Sequence, residues 1–146
     1  MLAVIFPGQG AQFPGMARDL LSQFGNIVDQ ASAILGQDVV ALCDGREPLK
    51  MNITEYTQPI LYLVCVLGYL AQDKQADFLL GHSLGLYPAL HIAGVVDFRL
   101  GLQLVIERAR LMSQVTQGGM LVVLGWHYDR LAEFLIEHEY TDIDIA

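Results

Sequence analysis

Five consecutive residues, Gly81-His82-Ser83-Leu84-Gly85, form the pattern G-x-S-x-G. A nucleophilic serine must stand clear of the backbone at the end of a strand, with N–H donors close enough to hold the oxyanion its attack creates. A strand-to-helix turn sharp enough to present it crowds the positions two before and two after the serine, and both are glycine here. The apolar run Phe78 to Leu80 precedes the pattern, and a helical stretch from about Leu84 to Ala93 follows it. Ser83 is therefore the candidate nucleophile. His82 is near the site but is not its base, because neighbouring side chains on a tight elbow point apart.

The second candidate is a charge on an apolar stripe. Leu104, Arg108, Leu111 and Val115 recur at helical spacing, and the face they define is otherwise apolar. An unpaired guanidinium buried there would cost several kcal/mol, and no acid shares the face. Its partner is either an acid from elsewhere in the fold or a substrate carboxylate held by two parallel N–H bonds. Arg110 lies on the polar face with Gln103, Glu107 and Gln114, where Glu107 can pair with it.

A glycine-rich loop, FPGQGAQFPG (residues 6–15), leaves the first apolar run. Such loops often cradle phosphate. This one lacks the Lys-Ser/Thr of a P-loop, and Gly8, Gly10 and Gly15 do not fit G-x-G-x-x-G. Its glycines serve close backbone approach to some other group.

The elements that position these residues follow from periodicity and punctuation. Leu2 to Phe6 reads as a buried strand, then Met16 to Phe24 and Ile27 to Leu35 as helices parted by Gly25-Asn26. Residues 43–50 form a polar turn. Thr57 can cap a helix with Pro59 in its first turn, and the run that follows is apolar on every side, as in a helix buried all round. After the elbow, Asp97 can cap a helix that runs to about Gln117 and stops at Gly118-Gly119. Met120 to Leu124 reads as a strand, Asp129 to Glu139 as a helix, and Asp142 to Ala146 as an alternating strand. The first part implies an α/β unit with a parallel sheet covered on both faces, and the last a smaller unit. The boundary is expected at Gly118-Gly119, dividing 1–118 from 119–146.

Composition narrows the function. A chain of 146 residues with 53% apolar residues can bury one ordinary core. The net charge of −8, with its few cations scattered, argues against a nucleic-acid surface. Six of the sixteen acids fall between Asp129 and Asp144, so that segment is solvated. The apolar run Ile60 to Ala71 is too short to span a bilayer, and Met1 leads straight into strand-like residues without a targeting leader. A cytoplasmic protein is expected. Cys43 and Cys65 are too few for a disulfide framework and lack the partners of a metal site, so no metal is expected.

FPGQGAQ, TEYTQP (54–59), GHSLGLYPALHIAGVVDF (81–98) and RARLM (108–112), in that order and at those spacings, resemble the malonyl-CoA:acyl carrier protein transacylases and the acyltransferase domains of polyketide synthases. The resemblance runs the full length of the chain. It implies an α/β-hydrolase-like large subdomain and the beginning, from about residue 119, of an inserted ferredoxin-like small one. It also implies a serine ester on Ser83, formed from a coenzyme A thioester and passed to the phosphopantetheine thiol of an acyl carrier protein. By the same resemblance Arg108 grips the malonyl carboxylate, the backbone N–H groups of Gln9 and Leu84 form the oxyanion hole, and Gln58 lies close to the site. The chemistry is a ping-pong acyl transfer, in which fixed N–H donors are worth about 3–4 kcal/mol. No permanently bound cofactor is implied.

Three departures qualify the resemblance. Leu86 stands where the family usually has Glu, and Pro88 where a small residue is common. The family's base histidine would lie well beyond Ala146, and His91, His127 and His138 fall outside its motif. The expectation is a fragment whose remaining half is a partner or a missing segment, and which transfers acyl groups poorly alone, since losing a general base costs about two to four powers of ten. Rival readings are an acyl hydrolase or thioesterase on the same elbow, or a non-catalytic module that binds carrier protein. Leu84, an aliphatic residue in GHSxG, leans toward malonyl over methylmalonyl.

Overall fold

The computed structural model describes residues 1–115 and 117–145. These fall into two compact units, Met1–Thr116 and Gln117–Ala146.

In the first unit the strands β1 (Ala3–Phe6) and β2 (Phe78–Gly81) run parallel, with Ala3 opposite Phe78 and Phe6 opposite Gly81. This register brings both carboxyl ends level, and the glycine-rich loop and the serine elbow leave side by side. Between the strands come α1 (Arg18–Leu21), α2 (Gly25–Leu35), α3 (Val39–Cys43) and α4 (Thr54–Leu70); after them come α5 (Leu86–Ile92) and α6 (Phe98–Ser113). The unit is α/β with a small parallel sheet. One sheet face is open among the described residues, with Ile5 69%, Phe78 55% and Leu80 49% exposed, so the expected cover on both faces is not seen.

Helix α4 is the centre of the core. Ile60, Leu61, Tyr62, Leu63, Val66 and Leu67 are all buried, and each large apolar side chain so placed contributes about 1.5–3 kcal/mol. The helix starts at Thr54, earlier than Thr57 suggested, and Thr57 turns its hydroxyl back onto the carbonyls of Met51 (2.6 Å) and Ile53 (2.9 Å). Pro59 thus lies inside the helix. The bond it forgoes would end on the carbonyl of Glu55, an exposed residue that water can serve.

Helix α6 packs on α4 as the most extensive helix pair of the unit. Asp97 caps it, its carboxylate accepting from Leu100 N at 2.7 Å. The two helices approach closely where a Cβ on Gly101 would collide with the Tyr62 hydroxyl, which donates to the Phe98 carbonyl at 3.1 Å.

Other local expectations shift for identifiable reasons. Met16 to Phe24 forms only the short α1, because Ala17 adopts φ 64 and interrupts the helix. Gly25 and Asn26 belong to α2 and do not precede it. A short helix that the sequence did not signal, α3, precedes the polar turn of 43–50, and its cap Asp38 accepts from Ala41 N at 3.0 Å. Helix α6 ends at Ser113, short of Gln117.

In the second unit the described structure is one helix, α7 (Tyr128–Glu137). Met120 to Leu124 and residues 142–145 are not strands, so the strand-helix-strand expected there is present only as its helix; Ala146 lies outside the described residues. Alternation makes a strand only when a neighbour accepts its ladder, and neither stretch finds one among the described residues.

Candidate active site

Ser83 adopts φ 52, a left-handed conformation that costs a non-glycine residue about 1–3 kcal/mol and persists only where its surroundings enforce it. The enforcement is visible. His82 N donates to Phe6 O at 3.0 Å, extending the sheet ladder past β2, and Gly85 N donates to His82 O at 2.9 Å. A Cβ on Gly81 would fall inside the backbone of Gly85 and Leu86. A Cβ on Gly85 would fall on the carbonyl of Phe6, with Pro7 O only 2.9 Å away. The first glycine lets the elbow fold upon itself, and the second lets it press against the end of β1. Ser83 to Gly85 form one 3-10 turn before α5, and Pro88 sits in the first turn of α5, where no N–H is needed.

The glycine-rich loop lies along the elbow. A Cβ on Gly8 would be 2.7 Å from His82 Nδ1 and 3.0 Å from His82 O, and Gly10 has φ 108. His82 therefore turns its ring against this loop, and among the described residues it makes no hydrogen bond to Ser83. The backbone N–H groups of Gln9 and Leu84 have no acceptor among the described residues.

A chain of polar side chains runs from the serine across three elements. Arg108 Nη2 donates to Ser83 Oγ at 2.9 Å, and Arg108 Nη1 donates to Gln58 Oε1 at 2.6 Å. Gln58 Nε2 donates to Gln9 Oε1 at 3.1 Å and lies 3.4 Å from Met112 Sδ. Gln9 Nε2 donates to Thr54 Oγ1 at 3.1 Å. Gln58 is 0% exposed and yet fully partnered. No carboxylate pairs with Arg108 among the described residues; its partners are neutral.

The setting of Arg108 differs from the expected one. Leu104, Leu111 and Val115 are 42%, 51% and 71% exposed, and the buried face of α6 is Gly101, Leu102, Val105 and Ala109. Two apolar stripes coexist on this helix, and spacing cannot say which one meets α4. Arg108 lies beside the buried stripe, half-buried, so its head reaches the serine. Arg110 pairs with Glu107 as expected, at 2.6 and 2.8 Å, which holds the Glu107 carboxyl below its usual range.

The sequence reading named Ser83, Arg108, Gln58 and Gln9, and the structure brings all four together. It did not single out Thr54 or Met112. Both were reachable from spacing, since Thr54 precedes Gln58 and Met112 follows Arg108 by one helical turn.

Two further histidines and both thiols sit in local structural settings. His91 Nδ1 is 3.1 Å from Val96 O, with its ring packed edge-on to Phe98, and His138 Nδ1 is 2.9 Å from Phe134 O in its own helix. Burial, aided by the charge of Asp44, pushes the Cys43 thiol up to about 12, and burial pushes Cys65 up to about 11. Both thiols are therefore poor nucleophiles at neutral pH. No three His, Cys, Asp or Glu side chains converge to hold a metal among the described residues, and none of the described helices is long and apolar enough to cross a membrane.

Residues 3–134 match the family described as the acyl transferase domain. The chain belongs to that family. Among its relatives, this acyl transferase chain is 45% identical over 150 residues to the polyketide biosynthesis protein PksE of Bacillus subtilis, covering all of this chain and 20% of PksE. It is 43% identical over 150 residues to the polyketide biosynthesis malonyl CoA-acyl carrier protein transacylase PksC of the same organism, covering all of this chain and 52% of PksC. The solved malonyl CoA-acyl carrier protein transacylase of Burkholderia pseudomallei superposes with a TM-score of 0.93 at 41% identity, over 97% of this chain and 51% of that one. The acyl transferase chain thus spans about half the length of PksC and of the Burkholderia enzyme.

Proposed function

We propose that the polypeptide carrying this chain moves a malonyl or related dicarboxylic acyl group from coenzyme A, through an ester on Ser83, to the phosphopantetheine thiol of an acyl carrier protein. The setting is fatty-acid or polyketide synthesis in the cytoplasm. The observation that carries this reading is Arg108: a guanidinium 2.9 Å from Ser83 Oγ with no carboxylate partner among the described residues. A malonyl ester on Ser83 places its carboxylate one methylene beyond the ester carbonyl, within reach of that cation. Acetyl leaves it unmatched.

In the first half-reaction Ser83 Oγ attacks the thioester carbonyl carbon while its proton passes to a general base. The C–S bond then breaks, and the departing sulfur takes the proton to leave as the coenzyme A thiol. In the second, the carrier thiol attacks the ester, its proton returns through the base to Ser83 Oγ, and the acyl group departs as a new thioester. The backbone N–H groups of Gln9 and Leu84, free of other acceptors, stabilise the oxyanion of each step. We place the base outside these residues. His82 faces Gly8, and Nδ1 of His91 and Nδ1 of His138 each lie against a backbone carbonyl of their own neighbourhood. Residues 1–118 then form the first part of a hydrolase-like subdomain.

Charge-assisted hydrogen bonds contribute about 1.5–3 kcal/mol, so Arg108→Ala should lower the malonyl-over-acetyl ratio of kcat/KM roughly 10- to 100-fold. An intact ratio refutes the clamp and favours a hydrolase acting on plain acyl groups. A malonyl adduct on Ser83, sought by mass spectrometry, tests the nucleophile independently.

A further inference from the structure

Arg108 does not stand alone at Ser83; it ends a relay that begins two elements away. We propose that Thr54 and the side chain of Gln9 are positioning residues which, through Gln58, fix the place of the Arg108 guanidinium and thereby set the preference for acyl groups ending in a carboxylate. The proposal rests on the carboxylate-gripping role of Arg108 given above.

Hydrogen-bond polarity makes the relay one-directional. Arginine can only donate, so Gln58 must present Oε1 to Nη1, which leaves its Nε2 as a donor. That donor meets Gln9 Oε1 at 3.1 Å, so Gln9 turns its own Nε2 outward to Thr54 Oγ1 at 3.1 Å. Reversing either amide would set donor against donor. The order of the chain is therefore dictated from Arg108 outward, and Thr54 Oγ1 is the acceptor that closes it.

Burial gives the relay its force at Gln58, while the Gln9–Thr54 bond at its outer end is exposed. Gln58 is fully enclosed in the core beside Thr57 and Ile60, so with its Oε1 already committed to Arg108 the Gln9 contact holds the other end of its amide and fixes the plane of the group. The guanidinium is a flat group gripped at two nitrogens, by Gln58 and by Ser83. When the Gln58 amide turns, the guanidinium must turn with it. Thr54 and Gln58 project from the same face of α4, one turn apart, so the helix sets the spacing on which Gln9 is stretched. Gln9 has two separable roles: its backbone lies beside the elbow, and its side chain joins two residues of α4. Its side chain matters more than its place in a glycine-rich loop would suggest.

The test uses Thr54→Val, which removes the acceptor at constant shape, and Gln9→Met, which keeps length and backbone but removes both amide contacts. Thr54→Ser is the conservative rescue and Arg108→Ala the reference. Each is made in the full-length polypeptide, and kcat/KM is measured for malonyl-CoA and acetyl-CoA. Net hydrogen-bond contributions predict a fall in the malonyl-to-acetyl ratio of roughly three- to tenfold for Thr54→Val and for Gln9→Met, with Thr54→Ser close to the parent. The proposal is overturned if the ratio holds in both variants, even where both substrates slow together, or if Thr54→Ser fails to restore it. Should Thr54→Val not fold, Gln9→Met decides. If Arg108→Ala collapses the ratio while Thr54→Val and Gln9→Met keep it, the relay falls and the clamp stands; if Arg108→Ala also keeps it, both fall.

Discussion

Gly85 and Gly68 offer a paired experiment in which one substitution, glycine to alanine, has opposite signs. Gly68 lies inside α4, and a Cβ there meets nothing within 4 Å. Alanine at that position removes the entropic penalty of a helical glycine and should stabilise by about 0.5–1 kcal/mol. Gly85 lies on the elbow, where the added carbon would fall on Phe6 O, with Phe6 C at 2.7 Å and Pro7 O at 2.9 Å. All three are backbone atoms, so no rotamer change relieves the overlap. Relief requires the elbow to part from β1, which breaks the bond from His82 N to Phe6 O and releases the strained Ser83. Overpacking costs about 1–3 kcal/mol when side chains can yield, so a site walled by backbone belongs at about 3 kcal/mol or above. For a chain of this size the melting temperature should fall by about 6–12 °C in Gly85→Ala and rise by about 1–4 °C in Gly68→Ala. Calorimetry or thermal circular dichroism reads both. Labelling of Ser83 by a serine-directed fluorophosphonate should fall in Gly85→Ala and stay at the parent rate in Gly68→Ala. A Gly85→Ala protein that melts with the parent and labels equally fast refutes the view that the second glycine exists to let the elbow touch β1.

Two further outcomes follow from the core. Gly101→Ala should be less costly in a Tyr62→Phe background than in the parent, because its Cβ collides first with the Tyr62 hydroxyl; a double-mutant cycle by urea unfolding should show coupling of about 0.5–3 kcal/mol, and strict additivity would contradict the contact. The raised thiols of Cys43 and Cys65 stay protonated in the fold at pH values where the unfolded chain, with thiols near 9, has ionised them. Their contribution to stability is intact below about pH 9 and is lost as pH rises toward 11 and 12, at up to about 1.4 kcal/mol per pH unit for each thiol. Unfolding free energy followed from pH 7 to 10 should therefore drop more steeply in the parent than in a Cys43→Ala, Cys65→Ala variant, and equal slopes would refute it.

Local signals were legible where the physics is local. The G-x-S-x-G pattern between an apolar run and a helix located the elbow, because only glycine tolerates such crowding. Asp97 located the start of α6, because a cap is set by residues adjacent in sequence. The short helix α3 gave no signal because five residues are too few to show a helical period, and the strands expected around Met120 to Leu124 and Asp142 to Ala146 were not found among the described residues, because a strand exists only with a neighbour to pair with. The charge of Arg108 was legible, but its surroundings were not, since α6 carries two apolar stripes and spacing does not choose between them.

The sequence by itself determined which residues could do the chemistry: a serine on a glycine-flanked elbow, an arginine at helical spacing, and a glycine-rich loop unsuited to phosphate. Only the tertiary structure decided that the loop lies against the elbow because two parallel strands end level, and that Gly85 is required by β1 rather than by its own turn. The same structure decided that Arg108 bonds Ser83 directly, with Gln58, Gln9 and Thr54 linked in series behind it. Such contacts join residues some fifty positions apart, and their geometry is set by how α4, α6 and the sheet pack, which no local pattern encodes.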